Sequence, residues 1–92
     1  MSWRITATNR FKRRARRLRR GDPNLRRRVD QTLRDLAEDP HQPRLHLHRL
    51  HGSLEGFQAV RFDYDNRIVL TLEISEREIG SHDIGSHDEV YR

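Results

Sequence analysis

The apolar residues near the start of the chain first alternate with polar ones and then recur at helical spacing. The alternation over residues 3–7 predicts a short, half-buried strand that opens the domain. A cap at Thr8 or Asn9 then begins a predicted helix that ends near Arg20. The apolar side of this helix, with spacings of four and three residues, consists of Phe11, Ala15 and Leu18.

A second helix is predicted directly after the first. Gly21 is typical of a helix end, and Asp22 followed by Pro23 provides a cap with proline at the first helical position. Pro40 prevents the second helix from continuing. Because the connection is so short, the two helices should form a hairpin. The apolar stripe of the second helix consists of Leu25, Val29, Leu33 and Leu36.

The second half of the chain has a period of two. Residues 41–55 lack clear periodicity, which predicts an ordered loop or irregular strand. Val60, Phe62 and Tyr64 then alternate with polar residues, and after a turn at 65–66 the apolar residues Leu70, Leu72 and Ile74 do the same, so that a β-hairpin is predicted. A third strand is expected around residues 79–84. The order predicts one α+β domain over residues 1–92, with an N-terminal strand, a two-helix hairpin and an antiparallel β-meander that packs on the helices.

The pentapeptide Ile-Gly-Ser-His-Asp occurs twice, at 79–83 and at 84–88. Five is an odd number, so equivalent side chains of two extended copies would point to opposite faces of a sheet. We therefore expect that the copies do not do the same job. The simpler interpretation is a local duplication in which only one copy matters.

Composition restricts the classes of function. The 92 residues suffice for one core, 33% of them are apolar and 36% are charged. The absence of cysteine excludes disulfides, thiol nucleophiles and cysteine-based zinc sites. No run approaches the roughly 18 apolar residues of a membrane span, and the N-terminus lacks the apolar stretch of a signal peptide. We expect a cytoplasmic protein without a membrane partner.

Charge is distributed unevenly along the chain. Residues 1–50 contain 15 Lys/Arg against 5 Asp/Glu, whereas residues 51–92 contain 4 against 9. All basic residues except Lys12 are arginine, whose planar guanidinium binds phosphate with two hydrogen bonds. A polyanionic partner is therefore predicted, although a solvated helix face or a general bias toward arginine remains an alternative. Composition does not separate DNA, RNA and an acidic protein. The predicted contacts on the first helix are Arg13, Arg16, Arg17 and Arg20.

The chain also contains six histidines, and histidine can carry protons near neutral pH. Metal binding is the alternative, because His46 and His48 would lie on the same side of an extended segment. Without a third ligand this alternative is weaker, and we expect neither metal nor cofactor. His41, His46 and His51 are expected to be ordinary surface residues.

A metal-free ribonuclease needs a base for the ribose 2′-OH, an acid for the leaving 5′ oxygen and a cation for the phosphorane. Two groups of residues in this chain could supply them. One combines His48 with Asp65 and Arg67, and the other combines His87 with Tyr91. Spacing alone does not show whether the two groups converge.

Three segments carry a family resemblance: RLHGSLEGF at 49–57, RFDYDNRIVL at 61–70 and IGSHDEVY at 84–91. They resemble the RelE/StbE-type toxins of the RelE/ParE superfamily, and in particular the YafQ-like branch, which has a C-terminal histidine. The resemblance spans essentially the whole chain, and its tail is the most specific part. It implies a helical hairpin against a twisted antiparallel sheet. It also implies a type II toxin–antitoxin toxin that cleaves messenger RNA in the ribosomal A site and is silenced by a cognate antitoxin, for which we expect an acidic segment or helix.

The resemblance also implies roles for individual residues. His87 matches the catalytic histidine of the YafQ-like branch, and Tyr91 matches the terminal aromatic residue that contacts the substrate. Arg67 matches the arginine that stabilises the phosphate. Asp65 and His48 match positions around the scissile phosphate.

Other interpretations of these residues remain open. Arg61 lies where that branch often has another histidine, so it is predicted to contact phosphate without carrying a proton. Asp65 is also an ordinary turn residue, Tyr91 could cover the sheet edge, and Arg67 could pair with Asp65 or Glu73.

The chain departs from the family pattern at residues 80–82, where Gly-Ser-His replaces apolar strand residues. This departure is expected to weaken a central strand. Two alternative functions also remain. One is a gyrase-targeting ParE-like toxin or a toxin that only binds, against which His48, Asp65 and His87 count. The other is a basic module that binds nucleic acid or metal.

Overall fold

A computed structural model describes residues 2–91 of the chain. Within this range the chain forms five strands and three α-helices, and short 3-10 turns occupy 43–45 and 52–54. In chain order the elements are β1 (Arg4–Ala7), α1 (Asn9–Gly21), α2 (Pro23–Glu38), β2 (His48–Arg49), β3 (Gln58–Arg61), β4 (Asn66–Glu73), β5 (Glu78–Ser86) and α3 (His87–Val90).

The first two helices begin at the residues that the sequence predicts. The Thr8 hydroxyl accepts a hydrogen bond from the backbone N–H of Phe11 at 3.1 Å, and the Asp22 carboxylate accepts one from the backbone N–H of Asn24 at 2.9 Å. Only one residue, Asp22, separates α1 from α2. The predicted helical hairpin is therefore confirmed.

The five strands form one sheet in the order β1-β5-β4-β3-β2. Strands β2 to β5 pair antiparallel with their neighbours, whereas β1 pairs parallel with β5 because the helical hairpin carries the chain across the sheet. The α+β architecture with a β-meander is confirmed, and β1 makes the sheet mixed. Strand β2 comes from the segment in which the sequence predicts a loop or irregular strand.

The predicted hairpin is longer than the observed one. Strand β3 ends at Arg61, so the alternating residues Phe62 and Tyr64 lie in the turn. Strand β4 ends at Glu73, and Ile74 is 60% exposed rather than aligned with Leu70. Here the turn to β5 overrides the alternation.

Both faces of the sheet are covered. The face toward α1 and α2 holds the larger core, which includes Val29, Leu36, Ile68, Leu70, Ile79 and Ile84. The opposite face holds a smaller apolar cluster contributed by the loop before β3, the sheet and α3. Its buried members are Leu50, Ala59, Val69 and Val90.

A β-bulge changes the expected outcome of the pentapeptide repeat. Leu70 pairs with Ser81 and Val69 with Asp83, so His82 is an extra residue on β5. Because of this extra residue, the side chains of Ile79 and Ile84 lie on the same face of the sheet although five positions separate them. Ile79 and Ile84 are consequently both buried in the larger core, and the expectation of opposite faces is wrong for them.

The same bulge accommodates the polar residues at 80–82. The Thr71 hydroxyl lies 3.1 Å from His82 Nε2, and this hydrogen bond passes over Gly80. A Cβ atom at Gly80 would lie 2.8 Å from the Thr71 hydroxyl, so glycine leaves the space that the bond needs. The strand forms, although the buried hydroxyl of Ser81 has no hydrogen-bond partner among the described residues. No helix in residues 2–91 combines the length and the apolar character that crossing a membrane requires.

Candidate functional site

A cavity of about 660 Å³ opens on the sheet face opposite α1 and α2. Side chains reach it from the loop around β2, from β3 and β4, and from the C-terminal helix α3. The apolar part of the lining belongs to the smaller core cluster, and the rest is basic or hydroxylic. The lining residues are His46, His48, Leu50, His51, Ser53, Leu54, Arg61, Arg67, His87 and Tyr91.

The structure brings together four of the five predicted catalytic residues and one of the predicted RNA contacts. His48, Arg61, Arg67, His87 and Tyr91 all line this cavity, so the two groups converge. They do so because α3 folds back against the tip of the β3–β4 hairpin.

Asp65 is placed differently from these residues. It is exposed and does not line the cavity. Its backbone N–H donates to the carboxylate of Asp63 at 2.9 Å, and its carbonyl accepts from the backbone N–H of His87 at 2.9 Å. Asp65 therefore has the turn role, and its main chain holds the start of α3 in place.

From the sequence, His46 and His51 are expected to be ordinary surface residues. Both are exposed, yet both line the cavity. His46 has a left-handed backbone, with a φ angle of 53°, after the 3-10 turn at 43–45. The sequence signal for a site here is the three histidines within residues 46–51. Whether they line a cavity depends on how this loop folds over the sheet.

Arg61 and Arg67 are direct partners across the β3–β4 ladder. Like charges in this arrangement repel each other, and among the described residues neither arginine forms an ion pair. The alternative pairing of Arg67 with Asp65 or Glu73 is therefore not observed. The lining that residues 2–91 provide contains no carboxylate. The cavity is consequently suited to an anion.

A capping box sets the position of His87 at the start of α3. The Ser86 hydroxyl accepts from the backbone N–H of Glu89 at 3.2 Å, and the Glu89 carboxylate accepts from the backbone N–H of Ser86 at 2.9 Å. The His87 ring packs edge-on against Tyr91, with 4.4 Å between ring centroids. Helix α3 thus presents an imidazole and a phenol to the same cavity.

The Tyr91 hydroxyl is buried close to the Arg67 guanidinium, and among residues 2–91 no group makes a hydrogen bond of regular geometry to it. Burial raises the pKa of Tyr91 above its ordinary value, and the nearby positive charge of Arg67 opposes this shift only in part. The phenol therefore keeps its proton at neutral pH. Tyr91 lines the cavity, but its hydroxyl is not accessible from it.

His48 has a defined orientation. Its Nδ1 lies 2.8 Å from the carbonyl oxygen of His46. Because a carbonyl oxygen can only accept, we assign the proton of the neutral ring to Nδ1. This assignment leaves the lone pair of the neutral ring on Nε2, which can accept a proton.

Comparisons with known proteins identify the fold. No protein family and no curated protein matches the sequence. Among solved structures, the Escherichia coli DinJ–YafQ toxin–antitoxin complex matches with a TM-score of 0.75 and 14% identity over 100% of both chains. The chain has a RelE-type toxin fold.

Two further structures are similar to the RelE-type fold of this chain. A YoeB/ParE toxin from Agrobacterium tumefaciens matches with a TM-score of 0.78 and 15% identity, over 91% of this chain and 98% of the other. A metal-bound toxin from Helicobacter pylori matches with a TM-score of 0.75 and 23% identity, over 99% of this chain and 100% of the other.

The metal alternative finds no ligand set in this RelE-type chain. His46 and His48 line the same cavity, but residues 2–91 contain no group of three His, Cys, Asp or Glu side chains that could hold a metal ion.

The predicted arginines of α1 lie outside the cavity. Arg16 and Arg20 line a groove of about 370 Å³ between α1 and α2. Arg13 is exposed, and Arg17 lies 3.8 Å from the carboxylate of Glu89 in α3. The basic surface of the RelE-type fold thus extends from the helical hairpin toward the helix that carries His87.

Two other arginines of α1 have a structural role that sequence analysis missed. Arg14 donates to the carboxylate of Asp83 at 2.9 Å, and Arg10 lies 3.3 Å from the same carboxylate. Asp83 is largely buried, so these pairs join α1 to β5 at the bulge. The sequence holds no signal for this pairing because its partners are about 70 residues apart.

Proposed function

We propose that the chain is the toxin of a type II toxin–antitoxin pair and that it cleaves messenger RNA, on the ribosome, without a metal ion. The observation that carries the proposal is the pair of Arg61 and Arg67, which face each other in a cavity whose described lining has no carboxylate. A phosphate bound between two guanidinium groups removes their repulsion. His87 and Tyr91 line the same cavity, so a phosphodiester held there lies beside groups that carry protons.

The proposed reaction is attack by the ribose 2′-oxygen on the adjacent phosphorus. A base removes the 2′ proton, the new bond forms between the 2′-oxygen and phosphorus, and the bond to the 5′-oxygen breaks as an acid protonates that oxygen. The products are a 2′,3′-cyclic phosphate and a free 5′-hydroxyl. The step needs one base, one acid and positive charge near the phosphorane.

The geometry supports a specific division of these roles. We assign His87 as the acid and His48 as the base, because Nε2 of the neutral His48 ring has the lone pair and Asp65 does not line the cavity. Arg61 and Arg67 hold the phosphate and its developing charge. The Tyr91 ring packs edge-on against His87 and holds the imidazole beside the phosphate.

The proposed partners follow from the charge of the helices. RNA phosphates would contact the exposed arginines of α1, and these same residues offer a surface for an acidic segment of a cognate antitoxin. One of the similar structures is a toxin–antitoxin complex, which supports an antitoxin partner. The proposed contacts are Arg13, Arg16, Arg17 and Arg20.

A primer-extension assay on translated messenger RNA tests the nuclease. The wild-type protein should produce discrete cleavage ends, and His87→Ala should lose them because the leaving oxygen then lacks its acid. Removal of a positioned acid or base typically costs about 10²- to 10⁴-fold in rate. His41→Ala is the matched control, since His41 does not line the cavity. Intact messages with both wild type and His87→Ala would refute the nuclease and leave a toxin that only binds.

A further inference from the structure

Tyr64 lies exposed in the turn between β3 and β4. Its side chain is 92% exposed, and Ile74 is the other large apolar side chain that residues 2–91 leave exposed. An isolated exposed apolar side chain needs no explanation by itself. The position of Tyr64 is informative, because its carbonyl oxygen lies 3.4 Å from a guanidinium nitrogen of Arg67, which lines the cavity.

The turn that carries Tyr64 is held by its neighbours. One carboxylate oxygen of Asp63 accepts hydrogen bonds at 2.9 Å from the backbone N–H groups of Asp65 and Asn66 and from the Asn66 side chain. The net effect of the surroundings is to lower the pKa of Asp63. Partial burial alone would raise this pKa, but the hydrogen bonds and the positive charge of Arg28 outweigh burial. The turn is therefore preorganised, which reduces the entropic cost of binding on it.

A second, smaller cavity connects Tyr64 to the proposed active site. It has a volume of about 230 Å³ and shares His46 and Arg61 with the larger cavity. Tyr64 and Arg44 line its far side. The two cavities adjoin at His46 and Arg61, and together they are called the groove.

The groove combines positive charge with an aromatic ring. Arg61 has no ion-pair partner among the described residues, whereas Arg44 uses one nitrogen to bind Asp35 at 2.9 Å. The Asp63 carboxylate also lines the smaller cavity, and its hydrogen bonds within the turn occupy it. Guanidinium groups along a backbone and an exposed ring for a base are the features that bind single-stranded nucleic acid.

We propose that Tyr64 is a stacking platform for the nucleobase next to the scissile phosphate, so that the groove binds a second nucleotide of a single-stranded RNA. This inference rests on the proposed function, from which it takes RNA as the substrate. Arg61 lines both cavities, so the base next to the phosphate that Arg61 holds lies on the Tyr64 ring. Every base has a π-face, so this subsite adds affinity without selecting a sequence.

Binding of a short single-stranded RNA that cannot be cleaved tests the subsite. The probe carries 2′-O-methyl groups, which remove the nucleophile, and 2-aminopurine, whose fluorescence falls when it stacks. Tyr64→Ala should bind the probe about 5- to 100-fold more weakly than wild type and should lose the quenching. Tyr64→Phe should retain both, because stacking needs the ring and not the hydroxyl. Ile74→Ala is the matched control and should bind like wild type.

The outcomes separate the subsite from the nuclease. If Tyr64→Ala binds within twofold of wild type, or if quenching persists, the stacking platform is wrong while His87-dependent cleavage is unaffected. If the wild-type protein does not bind free RNA at all, the subsite is likewise refuted, and the primer-extension assay still decides the nuclease. The side chain is so exposed that substitution should not disturb folding, and circular dichroism of each variant checks this.

Discussion

Arg61 and Arg67 lie directly opposite each other on β3 and β4. Directly opposed like charges on neighbouring strands are destabilising, and among the described residues no carboxylate offsets them. If the cavity binds phosphate, the bound anion removes the repulsion between Arg61 and Arg67, so the repulsion that destabilises the free protein favours binding. Removal of one of the two charges should therefore raise the free energy of unfolding and lower the cleavage activity.

Arg61→Gln tests this opposition. The variant should be more stable than wild type by about 0.2–1 kcal/mol in free energy of unfolding, because the repulsion disappears. Its kcat/KM for RNA cleavage should fall about 10- to 100-fold, because a phosphate contact is lost. Urea denaturation and a cleavage assay measure the two quantities. Arg77→Gln, in the β4–β5 turn, is the control and should change neither. A less stable but fully active Arg61→Gln would contradict the phosphate role.

At the scale of residues the sequence identified half of the cavity lining, but not how each residue takes part. The tail motif pointed to His87 and Tyr91, and the hairpin entry pointed to Arg67. Asp65 was predicted as a site residue because an aspartate in the β3–β4 turn fits both turn formation and catalysis, and the sequence does not separate the two roles. His46 and His51 could not be assigned, since their place in the lining depends on the path of a nonperiodic loop.

Helix α3 is a single turn whose geometry depends on Ser86 and Glu89. The capping box satisfies backbone N–H groups at both residues, and Gly85 leaves room for it. A Cβ atom at Gly85 would lie 2.9 Å from a carboxylate oxygen of Glu89. In both copies of the pentapeptide the glycine thus leaves space for a polar contact: the Thr71–His82 hydrogen bond at Gly80 and the Glu89 carboxylate at Gly85.

The capping box should make stability depend on pH in the acidic range. The backbone hydrogen bond from Ser86 is the main cause that lowers the pKa of Glu89 below 4.5, and Arg14 and Arg17 lower it further. A lowered folded pKa stabilises the protein at pH values above the unfolded pKa, and this contribution is lost as the pH falls through the folded pKa.

Glu89→Gln isolates this contribution. Glutamine keeps the capping box but does not titrate, so the stability advantage of wild type over Glu89→Gln should shrink between about pH 5 and about pH 3. Thermal unfolding monitored by circular dichroism at several pH values measures the difference. Glu38→Gln, at the end of α2, is the matched control. Parallel pH profiles for wild type and Glu89→Gln would show that Glu89 contributes no such dependence.

The elements themselves were largely predictable from local pattern. Caps and prolines set the helix bounds, and alternation gave the strands. The bulge at His82 was not predictable, because it follows from pairing β5 with β4 in a register that buries both Ile79 and Ile84. The end of β4 before Ile74 was also decided by the turn and not by alternation.

The arginines of α1 fall into two groups with different surroundings. Arg10 and Arg14 are used to anchor α1 to Asp83, whereas Arg16 and Arg20 line the groove between the helices. Arg14 is partly buried in its ion pair and Arg10 binds Asp83 through one nitrogen, whereas Arg16 and Arg20 are exposed and bind no carboxylate among the described residues. A polyanion should therefore meet the helical hairpin at a defined subset of its arginines.

The salt dependence of RNA binding measures how many arginines contact phosphate. Affinity for single-stranded RNA should fall steeply with ionic strength, because phosphate contacts release counterions. Changing Arg16 and Arg20 to Gln should reduce the slope of log K against log salt by roughly 1 to 1.5, corresponding to two contacts at about 0.7 each. Arg27→Gln together with Arg34→Gln, on the exposed side of α2, is the control pair. A flat response in wild type would contradict the proposed role of α1.

The sequence by itself determined the first two helices, the order of the main elements along the chain and the chemical character of the protein. These depend on interactions between residues close together in the chain, and on charges that any fold must carry. The tertiary structure decided which residues meet. Residues 46–54, the β3–β4 hairpin and α3 enclose one cavity only because β5 carries α3 back to the hairpin tip, where Asp65 binds the backbone of His87. Such contacts are set by packing over the sheet, which the local order of residues does not encode.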